Sequence, residues 1–116
     1  MKIITITDSD SNTGWLELGP GGNLGAAPNE KISWHLKNGC GVASITNILE
    51  KHSPPASVNI WSTAPHPDGS STNWTATIKA SAANGDEWNY NIFWKATDGK
   101  TPPPFDPKII VNTAIG

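Results

Sequence analysis

Few side chains in this chain are equipped for chemistry, and their spacing limits what they could do. Asp8, Asp10 and Asn12 alternate along a polar stretch, the spacing by which calcium loops turn every second oxygen toward a hard cation. The EF-hand continuation fails, because Thr13 stands where that loop needs Gly and Gly19 where it needs Glu. A hydrated polar turn is the simpler reading, with calcium as the alternative. Cys40 is the single cysteine and lies between Gly39 and Gly41, a turn expected to expose it. A nucleophilic thiol needs a lowered pKa and an orienting base. His35 falls on the solvent side of its strand, and His52 and His66 lie in or near proline-bearing loops. No Cys, His and Asp stand at a recognisable spacing. Asp86-Glu87 is the only adjacent acid pair, and neighbours in a turn point apart, whereas glycosidase carboxylates face each other across a cleft. No catalytic residue, resident metal or cofactor follows from these residues, so an enzyme or redox protein is the weakest functional reading.

Aromatic residues carry more information. Six tryptophans occur in 116 residues. Trp34, Trp74, Trp88 and Trp94 fall on the apolar face of alternating stretches and are expected in the core. Trp15 follows a polar turn, Trp61 shares a face with Asn59, and Phe93 falls on the polar face of its strand. These three are the candidate ligand-binding residues. An exposed indole can stack on the C–H face of a sugar or on an apolar patch of a partner, while nearby amides take hydroxyls. The plainer reading has them covering the open ends of the fold. Asn73-Trp74-Thr75 matches the N-glycosylation acceptor, a pattern common by chance.

Composition excludes several partners. Charged residues make up 16%, against about 25% in an average soluble domain. The net charge is −2, and every basic residue is lysine. Without the arginine fork or a lysine cluster, neither nucleic acid nor an anionic membrane surface is an expected partner. The lone Cys40 excludes an internal disulfide and permits a reducing compartment. No apolar run approaches spanning length, and residues 2–7 read as a strand, not a signal segment. The expected location is the cytoplasm, or outside it in a processed or non-classically exported form.

The elements that must position these residues are strands. Alternation marks residues 2–7, 15–18, 31–36, 42–49, 58–63, 73–80, 88–96 and 108–112. Asn38-Gly39 and Asn84-Gly85 mark tight turns. Residues 42–49 are expected to pair with 31–36, with a helical turn as the alternative over 47–51. Residues 19–28 read as a glycine- and alanine-rich connection, and 64–69 as an exposed loop. The prolines at 102–104 and Lys108 suggest that the last strand is a protected edge. Length and spacing predict one domain, residues 1–116: an all-β, two-sheet antiparallel Greek-key sandwich of seven or eight strands.

The first strand, the Gly/Pro-rich approach and Glu30-Lys-Ile-Ser-Trp34 resemble the front half of cupredoxin-like sandwiches. Trp88-Asn-Tyr90-Asn-Ile92, a loop, and Lys108-Ile-Ile-Val111 resemble that fold's closing pair of strands. Immunoglobulin-like domains share much of the pattern. The resemblance implies a scaffold without its copper. Family members carry Cys, His and usually Met in the last loop, and residues 94–105 hold none of them. The expected function is a non-enzymatic binding or interaction module, presenting loops 8–15, 61–71 and 95–105 to a carbohydrate or a protein. The alternative is an accessory structural domain without a small-molecule ligand. A monomer is expected.

Overall fold

The structure is a computed structural model that describes residues 1–19, 21, 23–51 and 57–113. Nine strands run through the described residues: β1 (Lys2–Ser9), β2 (Leu16–Gly19), β3 (Asn23–Ala26), β4 (Lys31–Leu36), β5 (Val42–Glu50), β6 (Trp61–Pro67), β7 (Trp74–Ile78), β8 (Glu87–Ala96) and β9 (Lys108–Val111). They form a five-stranded sheet, β2-β1-β4-β7-β6, and a four-stranded sheet, β3-β9-β8-β5. The two sheets pack on one shared hydrophobic core. There is no helix among the described residues, and thus none long and apolar enough to cross a membrane.

The expectation of purely antiparallel sheets is corrected. β1 runs parallel to β4, with Ile4 opposite Trp34, and β3 runs parallel to β9, with Leu24 opposite Ile109. Both parallel pairs arise because the chain crosses to the other sheet before returning. The ninth strand, β3, lies in the stretch read as a connection, since Asn23-Leu-Gly-Ala26 is too short and too rich in small residues to signal a strand. The Asn38-Gly39 turn does not close a hairpin. β5 crosses to the other sheet and pairs with β8, Ile48 opposite Ile92, and it stays extended through Glu50 where a helical turn was the alternative.

β6 starts later than expected and runs through the residues read as an exposed loop. Pro65 and Pro67 are tolerated because β6 is an edge and needs no donor on its open side. The last strand is not an edge: β9 lies between β3 and β8. Edge protection sits elsewhere, in the prolines and irregular register of β6, the two bulges of β5 and the four-residue lengths of β2 and β3.

Alternation places Ile4, Ile6, Ile32, Trp34, Trp74, Ala76 and Ile78 from one sheet against Trp88, Tyr90, Ile92, Trp94, Ile109 and Val111 from the other. The four expected core indoles are all buried. Trp34, Trp61, Trp88 and Tyr90 form a closed circuit of ring contacts. Trp34 meets Tyr90 edge-on at 6.1 Å and Trp61 in a tilted contact at 6.4 Å. Trp61 meets Trp88 edge-on at 5.0 Å, and Trp88 stacks on Tyr90 at 4.8 Å. Such pairs add about 0.5–1.5 kcal/mol each beyond the area they bury. Trp34 Nε1 donates to Tyr90 Oη at 3.3 Å.

Burial pushes the Tyr90 phenol well above its ordinary value, and the Trp34 bond pulls it partly back. The folded state therefore keeps a proton that the unfolded chain releases near pH 10. This contribution to stability is complete below that pH and is lost as the pH rises beyond it. Tyr90 is the only tyrosine, so phenolate absorbance is expected to rise together with unfolding. Tyr90→Phe should cost about 1–3 kcal/mol at neutral pH, through the unpaired Trp34 N–H, and should flatten the alkaline loss. A phenolate signal near pH 10 in protein still folded by circular dichroism would contradict this burial.

Candidate functional site

Strand direction gathers four loops at one end. β1 and β4 are parallel, with Ile6 opposite Leu36, so both finish there. Trp74 pairs with Trp34 and with Pro67, so β7 starts and β6 finishes there. In the other sheet, Val42 opposite Ala96 marks the start of β5 and the end of β8. Residues 10–15, 37–41, 68–73 and 97–104 therefore share this end, while Phe105 already pairs back with Ile92 in the middle of β8.

Three of these loops are braced against one another. Ser11 Oγ donates to Asp98 Oδ2 at 2.7 Å, and Lys100 Nζ donates to Asn12 Oδ1 at 2.8 Å. Ser9 Oγ donates to the Cys40 carbonyl at 2.6 Å. Trp94 Nε1 reaches out of the core to the Gly14 carbonyl at 3.3 Å. Gly14 has a φ of +84°, and a Cβ there would collide with the Pro103 carbonyl. Only glycine combines that backbone conformation with so close an approach. The Asp98 carboxyl lies below its ordinary pKa, chiefly through the Lys100 backbone N–H and then through the Ser11 hydroxyl.

Trp15 is 42% exposed at the rim of this end. Leu16 points inward and is buried, so alternation sends Trp15 to the outer side of the five-stranded sheet. Its carbonyl accepts from Asp10 N at 2.9 Å, and its N–H donates to Thr13 Oγ1 at 3.3 Å. Its backbone is thus pinned on both sides.

Trp61 corrects the expectation of exposure, being 7% exposed inside the aromatic circuit. The cause is local. Asn59 Oδ1 accepts from Trp61 N at 3.1 Å and folds the backbone, and the register shifts after Trp61, so both Ile60 and Trp61 point inward. Trp61 Nε1 is buried with no hydrogen-bond partner among the described residues. Phe93 is half-buried on the outer side of the four-stranded sheet, opposite Asn47. Trp15, Trp61 and Phe93 therefore occupy one outer side, the core and the other outer side, and form no common patch.

The alternating oxygens fold their own turn. Asp8 Oδ1 accepts from Ser9 N at 2.8 Å and Asp10 Oδ1 from Asn12 N at 2.8 Å, while the Asn12 oxygen takes the Lys100 ammonium. An ammonium on that oxygen opposes a second cation. No group of three or more His, Cys, Asp or Glu side chains able to hold a metal ion occurs among the described residues.

Cys40 is buried, contrary to its expected exposure. Its N–H donates to the Lys37 carbonyl at 3.1 Å, which turns the thiol back under the end of the sandwich. Asp86 Oδ2 takes Ala83 N and Glu87 Oε1 takes Lys108 Nζ, so the acid pair diverges. His66 Nδ1 lies 3.0 Å from the Ala64 carbonyl. His52 lies outside the described residues. Asn73 is half-buried and its N–H donates to Ser71 Oγ.

One contact was not anticipated: His35 Nε2 lies 2.8 Å from Ser33 Oγ. The signal was available, since residues two apart on a strand share a face. Ser33 is only 4% exposed, and its hydroxyl also reaches the Trp74 carbonyl at 3.3 Å. A hydroxyl sunk in a mid-sheet strand, whose backbone donors serve the ladder, offers no oxyanion pocket.

Neither a protein-family model nor a curated protein sequence matches the chain. The Gly14 contact supplies a direct test of the braced end. Gly39 has a similar φ of +79° and open space around it, so Gly39→Ala should cost only the backbone penalty of about 1–2 kcal/mol. Gly14→Ala should cost about 1–3 kcal/mol more, from the forced displacement of Pro103. Equal losses in urea unfolding would show that the loops are not in contact.

Proposed function

We propose that the chain is a non-enzymatic binding or interaction module that reads a carbohydrate or a protein surface with the loop end of its sandwich. The observation that supports this most is Trp15, a large exposed aromatic whose backbone is pinned on a loop braced to its neighbours. A ring already held in place loses little freedom on binding. Its flat face suits sugar C–H groups or an apolar patch, and Asp10 across from it supplies acceptors for hydroxyls.

The scaffold is read as a cupredoxin-like Greek-key sandwich that holds no copper, with an immunoglobulin-like fold as the near alternative. Support comes from the antiparallel pairing of β8 with β9, the strands carrying the resemblance to the closing pair, and from the lack of Cys, His and Met in residues 97–107. The absence of arginine weighs against nucleic acid and anionic membranes as partners.

The guarded edges favour a monomer, and sedimentation should show one species of monomer mass at micromolar concentration. A tight oligomer would overturn that. In a glycan screen read by tryptophan fluorescence, saturable quenching is expected and should vanish in Trp15→Ala. That variant should keep the thermal midpoint of the parent, because Trp15 is not part of the hydrophobic core cluster. Quenching that survives the substitution would remove Trp15 from the site. No response to any glycan would leave a protein surface or the accessory structural role.

A further inference from the structure

We infer that Asn38 is a site of spontaneous deamidation through a cyclic imide formed with Gly39, while the fold protects the identical dipeptide Asn84-Gly85. Both dipeptides occupy the same kind of turn. Residues Lys37 to Cys40 are closed by Cys40 N–H donating to the Lys37 carbonyl at 3.1 Å, and Ala83 to Asp86 by Asp86 N–H donating to the Ala83 carbonyl at 3.0 Å. Each places Asn at the second position and Gly at the third, with glycine φ of +79° and +89°, the form of a type II turn. Both asparagines are exposed. Solvent access therefore does not separate them.

Hydrogen bonding does. The Gly85 N–H donates to the Val111 carbonyl at 2.8 Å, and Asn84 Oδ1 accepts from Thr113 N at 3.1 Å. Asp86 Oδ2 braces the same turn through Ala83 N at 3.0 Å. Among the described residues the Gly39 N–H and the Asn38 carboxamide make no such bonds, and nothing lies within 4 Å of the place a Gly39 Cβ would take. Ring closure needs both groups free. Hydroxide removes the Gly39 amide proton, the nitrogen attacks Asn38 Cγ, and a C–N bond forms as the carboxamide C–N bond breaks. Ammonia departs after taking a proton from water. Water then adds to either imide carbonyl and opens the ring to an aspartyl or an isoaspartyl residue at position 38. No electrons are exchanged with any other reagent.

The product carries one more negative charge than the native net charge of −2. In the isoaspartyl form, one additional carbon enters the main chain of the turn that buries Cys40, whose carbonyl holds Ser9. The change thus falls within the braced loop end.

The test is incubation of the folded protein at mildly alkaline pH and 37 °C as a working temperature, followed by peptide mapping by mass spectrometry with isoaspartyl detection. Asn38 should convert about tenfold faster than Asn84, or more, since releasing each bond at Asn84 and Gly85 slows closure by roughly fivefold. In urea-unfolded protein the two rates should converge. Asn38→Gln, whose longer side chain closes its ring slowly, should abolish conversion at position 38 and leave Asn84 unchanged. Equal rates at the two sites in folded protein, or faster loss at Asn84, would overturn the inference. Neither result bears on whether Trp15 binds a ligand.

Discussion

The ring circuit of Trp34, Trp61, Trp88 and Tyr90 is the interaction on which the rest of the molecule depends. The five-stranded sheet supplies Trp34 and Trp61, and the four-stranded sheet supplies Trp88 and Tyr90. Each sheet therefore grips the other through two large side chains. The circuit also fixes β6, whose remaining residues are exposed or half-buried and which would otherwise be held to the sheet only by its backbone bonds and the Ser62 hydroxyl on the Thr77 carbonyl. Charge contributes little beside it. The Lys51–Asp106 and Lys108–Glu87 pairs are close, at 2.7 and 3.0 Å, but partly solvated, and such pairs are worth about 0–1 kcal/mol each. A chain with 16% charged residues relies on packed indoles for its cohesion.

The remaining buried indoles tie the core to its surroundings. Trp94 Nε1 and Trp74 Nε1 donate to the carbonyls of Gly14 and Ile45. The first bond anchors the loop after β1, and the second links β7 of one sheet to β5 of the other. Leaving either of these two donors unpaired would cost about 1–3 kcal/mol. The backbone carbonyls of Gly14 and Ile45 pair them, and in doing so they fix where the loop and the strand lie. Packing inside the sandwich thereby sets geometry at its end.

Much of this was legible in the chain. β4 was readable to the residue, because Ile32, Trp34 and Leu36 alternate cleanly with polar neighbours, and β8 nearly so. The burial of Trp34, Trp74, Trp88 and Trp94 followed from the same period. Trp61 was not legible, because a single Asn59 side-chain bond turns the backbone and breaks the alternation. β3 was hidden because its strand character comes from pairing with β9 and not from its own residues. The partner of β5 was misread for a related reason: a turn dipeptide specifies a bend, and the distant strand β8 decides which sheet the chain joins. Cys40 was misplaced because flanking glycines suggest exposure, while the turn's closing bond directs the thiol inward.

What the outside of the molecule offers follows from these constraints. The outward strand positions are dressed mainly in Ser, Thr, Asn and isolated charges, so no strong field steers a ligand. Recognition by such a surface must rest on shape, hydrogen bonds and aromatic contact. Trp15 is the only aromatic among the large exposed hydrophobic side chains of the described residues. Its neighbours are held by Asp10, Thr13 and the Ser11–Asp98 bond. The sandwich thus holds this partly exposed ring on a backbone fixed by hydrogen bonds on both sides. For a weak ligand that meets only a few groups, rigidity of this kind separates measurable binding from none, because a small contact cannot offset the ordering of a loose loop.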